Sequence, residues 1–117
     1  MVDDRITDGT RIAELLASEV TGLETGPLAA LSVVDADRDA TPSESGTTAY
    51  RIAHDDVPVA AVVLFPDAVE IRRCDGSWSV STTELDGVST DGDRLRIAYG
   101  AAVKRAVDVL REEFSPR

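Results

Sequence analysis

Three aspartates at alternate positions, Asp35, Asp37 and Asp39 in the stretch VVDADRDATPSESG, are spaced like the first oxygen ligands of a helix-flanked calcium loop. Calcium takes about six to eight oxygens, and such a loop also needs a glycine at its sixth position and a bidentate glutamate at its twelfth. Those positions hold Ala40 and Gly46, Glu44 comes early, and the segment before the loop has a strand pattern, not a helical one. We therefore expect no metal site and a solvated, flexible acidic loop over residues 35–46. The second acidic stretch, Asp86 to Asp93, is expected to cap the last helix.

His54 stands beside Asp55 and Asp56, the arrangement of a general base oriented by a carboxylate, but it adjoins a predicted turn and spacing supplies no serine or cysteine for it to activate. Cys74 lies two residues from Arg72, a cation that would lower a thiol pKa, while Asp75 opposes that shift. With one cysteine and one histidine, an internal disulfide and the usual four-ligand zinc sites are excluded. There is no phosphate loop, dinucleotide fingerprint or nucleophile elbow. We expect no catalytic residue and no cofactor. A ligand-binding alternative centres on Arg72, Arg73 and Trp78, where a guanidinium stacked on the indole would offer a platform for an anion or nucleotide. The structural alternative is that Trp78 anchors the edge of the core and Arg73 covers it.

These residues need elements to hold them. Ile12, Leu15, Leu16, Val20 and Leu23 form one helical stripe with Asp8 or Thr10 as cap. Leu28 to Val34 has a strand pattern, and from Thr47 to Thr82 short β segments follow one another, separated by Asp55-Asp56, Pro66-Asp67 and Asp75-Gly76. Asp75-Gly76 is the strongest hairpin signal and would pair Arg73 with Trp78 and Ile71 with Val80. A long last helix is predicted from Asp91 or Asp93 to about Phe114. The expected fold is a single α+β domain over residues 1–117: an antiparallel meander of four or five strands with an N-terminal helix and a long C-terminal helix packed on it.

Within the meander, Val57 to Phe65 is apolar on both sides. Taking Val59, Ala61, Val63 and Phe65 as the core side leaves Ala60, Val62 and Leu64 on a face bordered by Arg51, Glu70 and Arg72. Such a face needs a cover, either the N-terminal helix or a second copy meeting it about a two-fold axis. The leading expectation is thus a non-enzymatic interaction or accessory module acting as a homodimer.

Charge describes the setting. There are 22 acidic and 12 basic residues, a formal net charge of −10, and lysine occurs once, as Lys104. Aspartate over glutamate, arginine over lysine and few aromatics resemble the composition of proteins from salt-loving archaea, whose acidic surfaces stay hydrated in molar salt. The resemblance concerns composition along the whole chain and implies no activity. Acidity weighs against nucleic acid as a partner, though in such organisms even DNA-binding proteins are sometimes acidic. The longest apolar run, Val57 to Phe65, contains a proline and falls short of the ~18 residues a membrane span needs. MVDDRITDG has no secretory pattern, so no membrane association and a cytoplasmic location are expected.

Overall fold

The computed structural model describes residues 8–21, 31–37, 39–79 and 86–114. Helix α1 spans Gly9–Thr21 and buries Ile12, Leu16 and Val20 of the expected stripe together with Ala13, while Leu15 is half-buried and Leu23 lies outside the described residues. Asp8 caps it: its carboxylate accepts the Thr10 N–H at 2.9 Å and its carbonyl accepts the Ile12 N–H at 2.9 Å. The first turn of α1 meets the end of a hairpin, where the Gly9 N–H donates to Pro66 O at 3.4 Å.

Strands β1 (Leu31–Val34), β2 (Thr47–His54), β3 (Val57–Phe65) and β4 (Ala68–Arg73) form the expected meander. The β2–β3 turn places both Asp55 (φ 52°) and Asp56 (φ 68°) in the left-handed region, the pattern of the tight hairpin turn whose twist matches the flanking strands.

After β4 the chain departs from expectation. No hairpin forms at Asp75-Gly76, and Ser77, Trp78 and Ser79 are not strand; Val80 and the rest of the anticipated partner strand lie outside the described residues. β4 pairs instead with β6 (Arg94–Ile97), which is joined to β5 (Val88–Asp91), giving a six-stranded antiparallel sheet of order β1-β2-β3-β4-β6-β5. The expected long helix is correspondingly shorter. Its supposed first turns are the β5–β6 hairpin, and α2 runs only over Val103–Glu113 after a 3-10 turn at Gly100–Ala102.

The reason is periodicity. Leu95 and Ile97 alternate with Arg94 and Arg96, a two-residue period, and Gly92 supplies the positive φ (62°) at the first central position of the turn. In this register Leu95 lies opposite Ile71 and Ile97 opposite Val69, all four fully buried. The turn also takes the polar groups a 75–76 hairpin would have used. Arg73 N–H donates to Asp93 O at 2.8 Å and Trp78 N–H to Gly92 O at 3.0 Å.

Both helices pack on one face of the sheet. That inner face presents Leu31, Ile52, Ala60, Val62, Leu64, Val69, Ile71, Leu95 and Ile97, which form one core with the apolar stripes of α1 and α2. Each fully buried Leu, Ile or Val side chain contributes about 1.5–3 kcal/mol. Tyr50 joins the core with its hydroxyl donating to Ala13 O at 2.8 Å, and burial raises its phenol pKa well above the ordinary 10.0.

Candidate functional site

Side chains alternate across a strand, and residues directly opposite in register share a face. Ala60 lies opposite Ile52 and Arg73, Val62 opposite Tyr50 and Ile71, and Leu64 opposite Val69, so these three belong to the inner face. They are 0%, 0% and 2% exposed, sealed within the molecule. The residues expected to border them belong to the other side: Arg51 and Arg72 flank Ala61, and Glu70 flanks Val63. The assignment of sides to β3 is therefore the reverse of that expected from sequence, and any association of copies would have to use a surface other than Ala60, Val62 and Leu64.

No helix among the described residues lies over the outer face. One register row crosses the whole sheet, Val34, Arg51, Ala61, Arg72, Arg94 and Asp91 in spatial order. The next row places Val63, Glu70, Arg96 and Ser89 side by side. Four of the chain's 12 basic residues thus project from one sheet face of a protein with a net charge of −10.

Glu70 organises this face. It is buried, and its two carboxylate oxygens accept from Arg72 Nε at 3.1 Å and from Arg96 Nη1 at 3.4 Å. The same two guanidinium groups lie 5.8 and 5.7 Å from the Phe65 ring centroid. Phe65 is further shielded by the loop before β2, where a Cβ on Gly46 would come within 2.6 Å of Val63 and 3.0 Å of the Phe65 ring. Arg96 also has Asp67 at 3.7 Å, and Arg94 has Asp93 at 3.9 Å. Both are exposed, loose pairs worth little. Arg51 makes no ion pair among the described residues.

The platform anticipated from Arg72, Arg73 and Trp78 is divided between the faces. Arg72 is on the outer face, while Arg73, its neighbour along β4, turns towards the helices. The Arg73 guanidinium pairs with Glu113, donates to Ser77 O at 3.1 Å and lies 5.2 Å from the Phe114 ring centroid. Trp78 meets the same ring edge to face at 5.9 Å, and its indole N–H is shared between Asp93 O at 3.0 Å and Ile71 O at 3.3 Å. Glu113 also accepts from the Ser79 N–H and hydroxyl. This cluster ties the end of α2 to the chain that leaves β4.

His54 lies at the end of β2 with Nδ1 3.9 Å from the Asp55 carboxylate, and Cys74 is exposed. In the opening loop, the Asp37 carboxylate accepts the Asp39 N–H at 2.9 Å and the Asp37 N–H donates to Ala49 O at 2.7 Å, which ties the loop to β2. Asp86, read as a cap for the last helix, instead accepts the Tyr99 hydroxyl at 2.5 Å. A cleft of about 280 Å³ opens between α1 and this loop, with Ala13, Ala17, Ala40 and Tyr50 in its wall and Glu14 and Asp37 beside them. No helix among the described residues is long and apolar enough to cross a membrane.

Sequence reasoning found Arg72 and noted Arg51 but missed Arg94 and Arg96, because residues 91 onward were assigned to a helix. The signal was present as Arg-Leu-Arg-Ile, alternating charge and apolar volume with the period of a strand.

Residues 1–114 match the model of a family of unknown function, DUF7993, and the chain belongs to that family. No curated protein and no solved structure matches it.

Proposed function

We propose that this protein is a small non-enzymatic interaction or accessory module and that its working surface is the outer face of the sheet. The observation that carries this reading is the one-sided layering. A stable α+β domain needs only one covered sheet face, and here both helices lie on the inner face while the outer row carries Arg51, Arg72 and Arg94 around the small residue Ala61. Scattered arginines on an acidic surface serve solubility; arginines gathered in register on one face present a shaped field. Where the partner is a second copy, this face meets itself about a two-fold axis. The composition supports a high-salt setting for the interaction.

The test is site-specific photo-crosslinking with a benzophenone amino acid at position 61, against a control at Lys104, which is exposed on α2. Adducts in the native host from position 61 and not from 104 are expected, and their mass separates a second copy from another protein. Adducts from 104 alone, or from neither position, would overturn the assignment.

A further inference from the structure

Resting on that reading of the outer face, we propose that its arginine row is a docking track for an acidic α-helical segment of another polypeptide, whose carboxylates recur at i, i+7 and i+11. The first support is spacing. Neighbouring strands lie ~4.8 Å apart, so Arg51 on β2 and Arg72 on β4 are separated by ~9.6 Å, and Arg72 and Arg94 by ~4.8 Å. A helix rises ~1.5 Å per residue, which places side chains seven apart at ~10.5 Å and four apart at ~6 Å along its axis. A carboxylate stripe of that spacing, laid across the strands, meets the three guanidinium groups in turn. Ala61, between Arg51 and Arg72, leaves a shallow trough in which a helix backbone approaches the sheet.

The second support is the like-charge pair. Arg72 and Arg94 lie directly opposite on neighbouring strands, a like-charge pair that destabilises a sheet and that Asp91, opposite Arg94 on its other side, and Asp93 at 3.9 Å offset only in part. Glu70 holds Arg72 through Nε and Phe65 lies against the guanidinium plane, while its remaining N–H groups have no hydrogen-bond acceptor among the described residues. A partner carboxylate spanning Arg72 and Arg94 relieves the part of that repulsion which Glu70, Asp91 and Asp93 leave.

The alternatives fit less well. Phe65, an aromatic ring of this face, lines an open hollow of about 470 Å³ with Arg96, but Glu44 and Asp67 line it as well and repel a phosphate beside any base stacked there, and a net charge of −10 repels a polyphosphate at long range. A second copy lacks the complementary stripe among the described residues. α1 carries Glu14 and Glu19, five apart, and α2 carries exposed Asp108 and Glu112 with Glu113 already held by Arg73.

The experiment is fluorescence anisotropy of the full chain against a labelled alanine-rich helix with glutamates at i, i+7 and i+11, a helix of equal composition with glutamates at i, i+5 and i+10, and a single-stranded oligothymidylate. The in-register helix is expected to bind at least about tenfold more tightly than the other two. The double variant Arg51→Glu/Arg94→Glu should lose at least about tenfold in affinity while remaining folded by circular dichroism, and Lys104→Glu should bind like wild type. Equal binding of the two helices, tighter binding of the oligothymidylate, or no effect of the double variant would each overturn the track. Absence of peptide binding together with crosslinks from position 61 would overturn the acidic helix and leave the outer face as the working surface. Absence of both would remove the face as well.

Discussion

The two sides of β3 differ by one residue in sequence and by almost everything else in circumstance. Ala60, Val62 and Leu64 lie in a sealed core, whereas Ala61, between them, stands half-buried in a row of arginines that no described helix covers. Composition alone does not separate the two sets, since the whole strand is apolar apart from Pro58. What separates them is the partner strands: Val69, Ile71, Leu95 and Ile97 on one side, Glu70, Arg72, Arg94 and Arg96 on the other. An apolar strand thus takes the character of its faces from its neighbours.

The largest expected contrast is between adjacent positions. Val62→Asp places an unpaired carboxylate in the core and should cost about 3–5 kcal/mol, enough to unfold a domain of ordinary stability. Ala61→Asp, half-buried on the outer face between Arg51 and Arg72, should cost about 1 kcal/mol or less. Denaturant titration of the two variants reads the difference, and similar midpoints would show that the faces are not as distinct as their burial.

Alkali offers a second probe of the inner face. Tyr50 has its pKa raised by burial, so above the ordinary value of 10.0 the unfolded phenol loses its proton while the folded one keeps it. The unfolded state then binds fewer protons, and stability should fall with rising pH by about 1.4 kcal/mol per unit, with no contribution from this group below that value. Tyr50→Phe should remove that share of the slope and cost about 1 kcal/mol at neutral pH through loss of the bond to Ala13 O. Thermal melts at stepped pH would separate the two contributions.

On the outer face, Glu70→Gln should cost about 1–2 kcal/mol, because Arg72 and Arg96 lose their shared charge partner while an amide oxygen still accepts one bond. The loss should shrink in high salt, in contrast to Val62→Asp, whose cost is desolvation rather than long-range charge. The smallest effect belongs to the turn joining β2 and β3, which serves both faces equally. Asp56→Gly relieves a left-handed backbone and should stabilise the fold by about 0.5–1 kcal/mol. A stabilisation seen only in low salt would assign the gain to removal of a carboxylate instead.

Local pattern made much of the fold legible. The stripe of α1, its Asp8 cap, the β2–β3 and β3–β4 turns and the α+β class all rest on interactions within a few residues of sequence. The errors arose where two local signals competed. Asp75-Gly76 and the stretch around Gly92 both offer turns, and only one can supply a partner to β4. Val69 and Ile71 need apolar neighbours, which Leu95 and Ile97 provide, while Arg73 pairs with Glu113 forty residues away.

The candidate site was less legible for the same reason. Arg51, Arg72 and Arg94 are far apart along the chain and form a row only once three strand registers are set. A shift of one residue in any of them would send an arginine to the opposite face. By itself the sequence determined the acidity, the first helix, the strand-rich middle and the need to cover an apolar strand. Tertiary structure alone decided which side of that strand is covered, because the choice depends on pairing energies summed across strands distant in sequence rather than on any property of Val57 to Phe65.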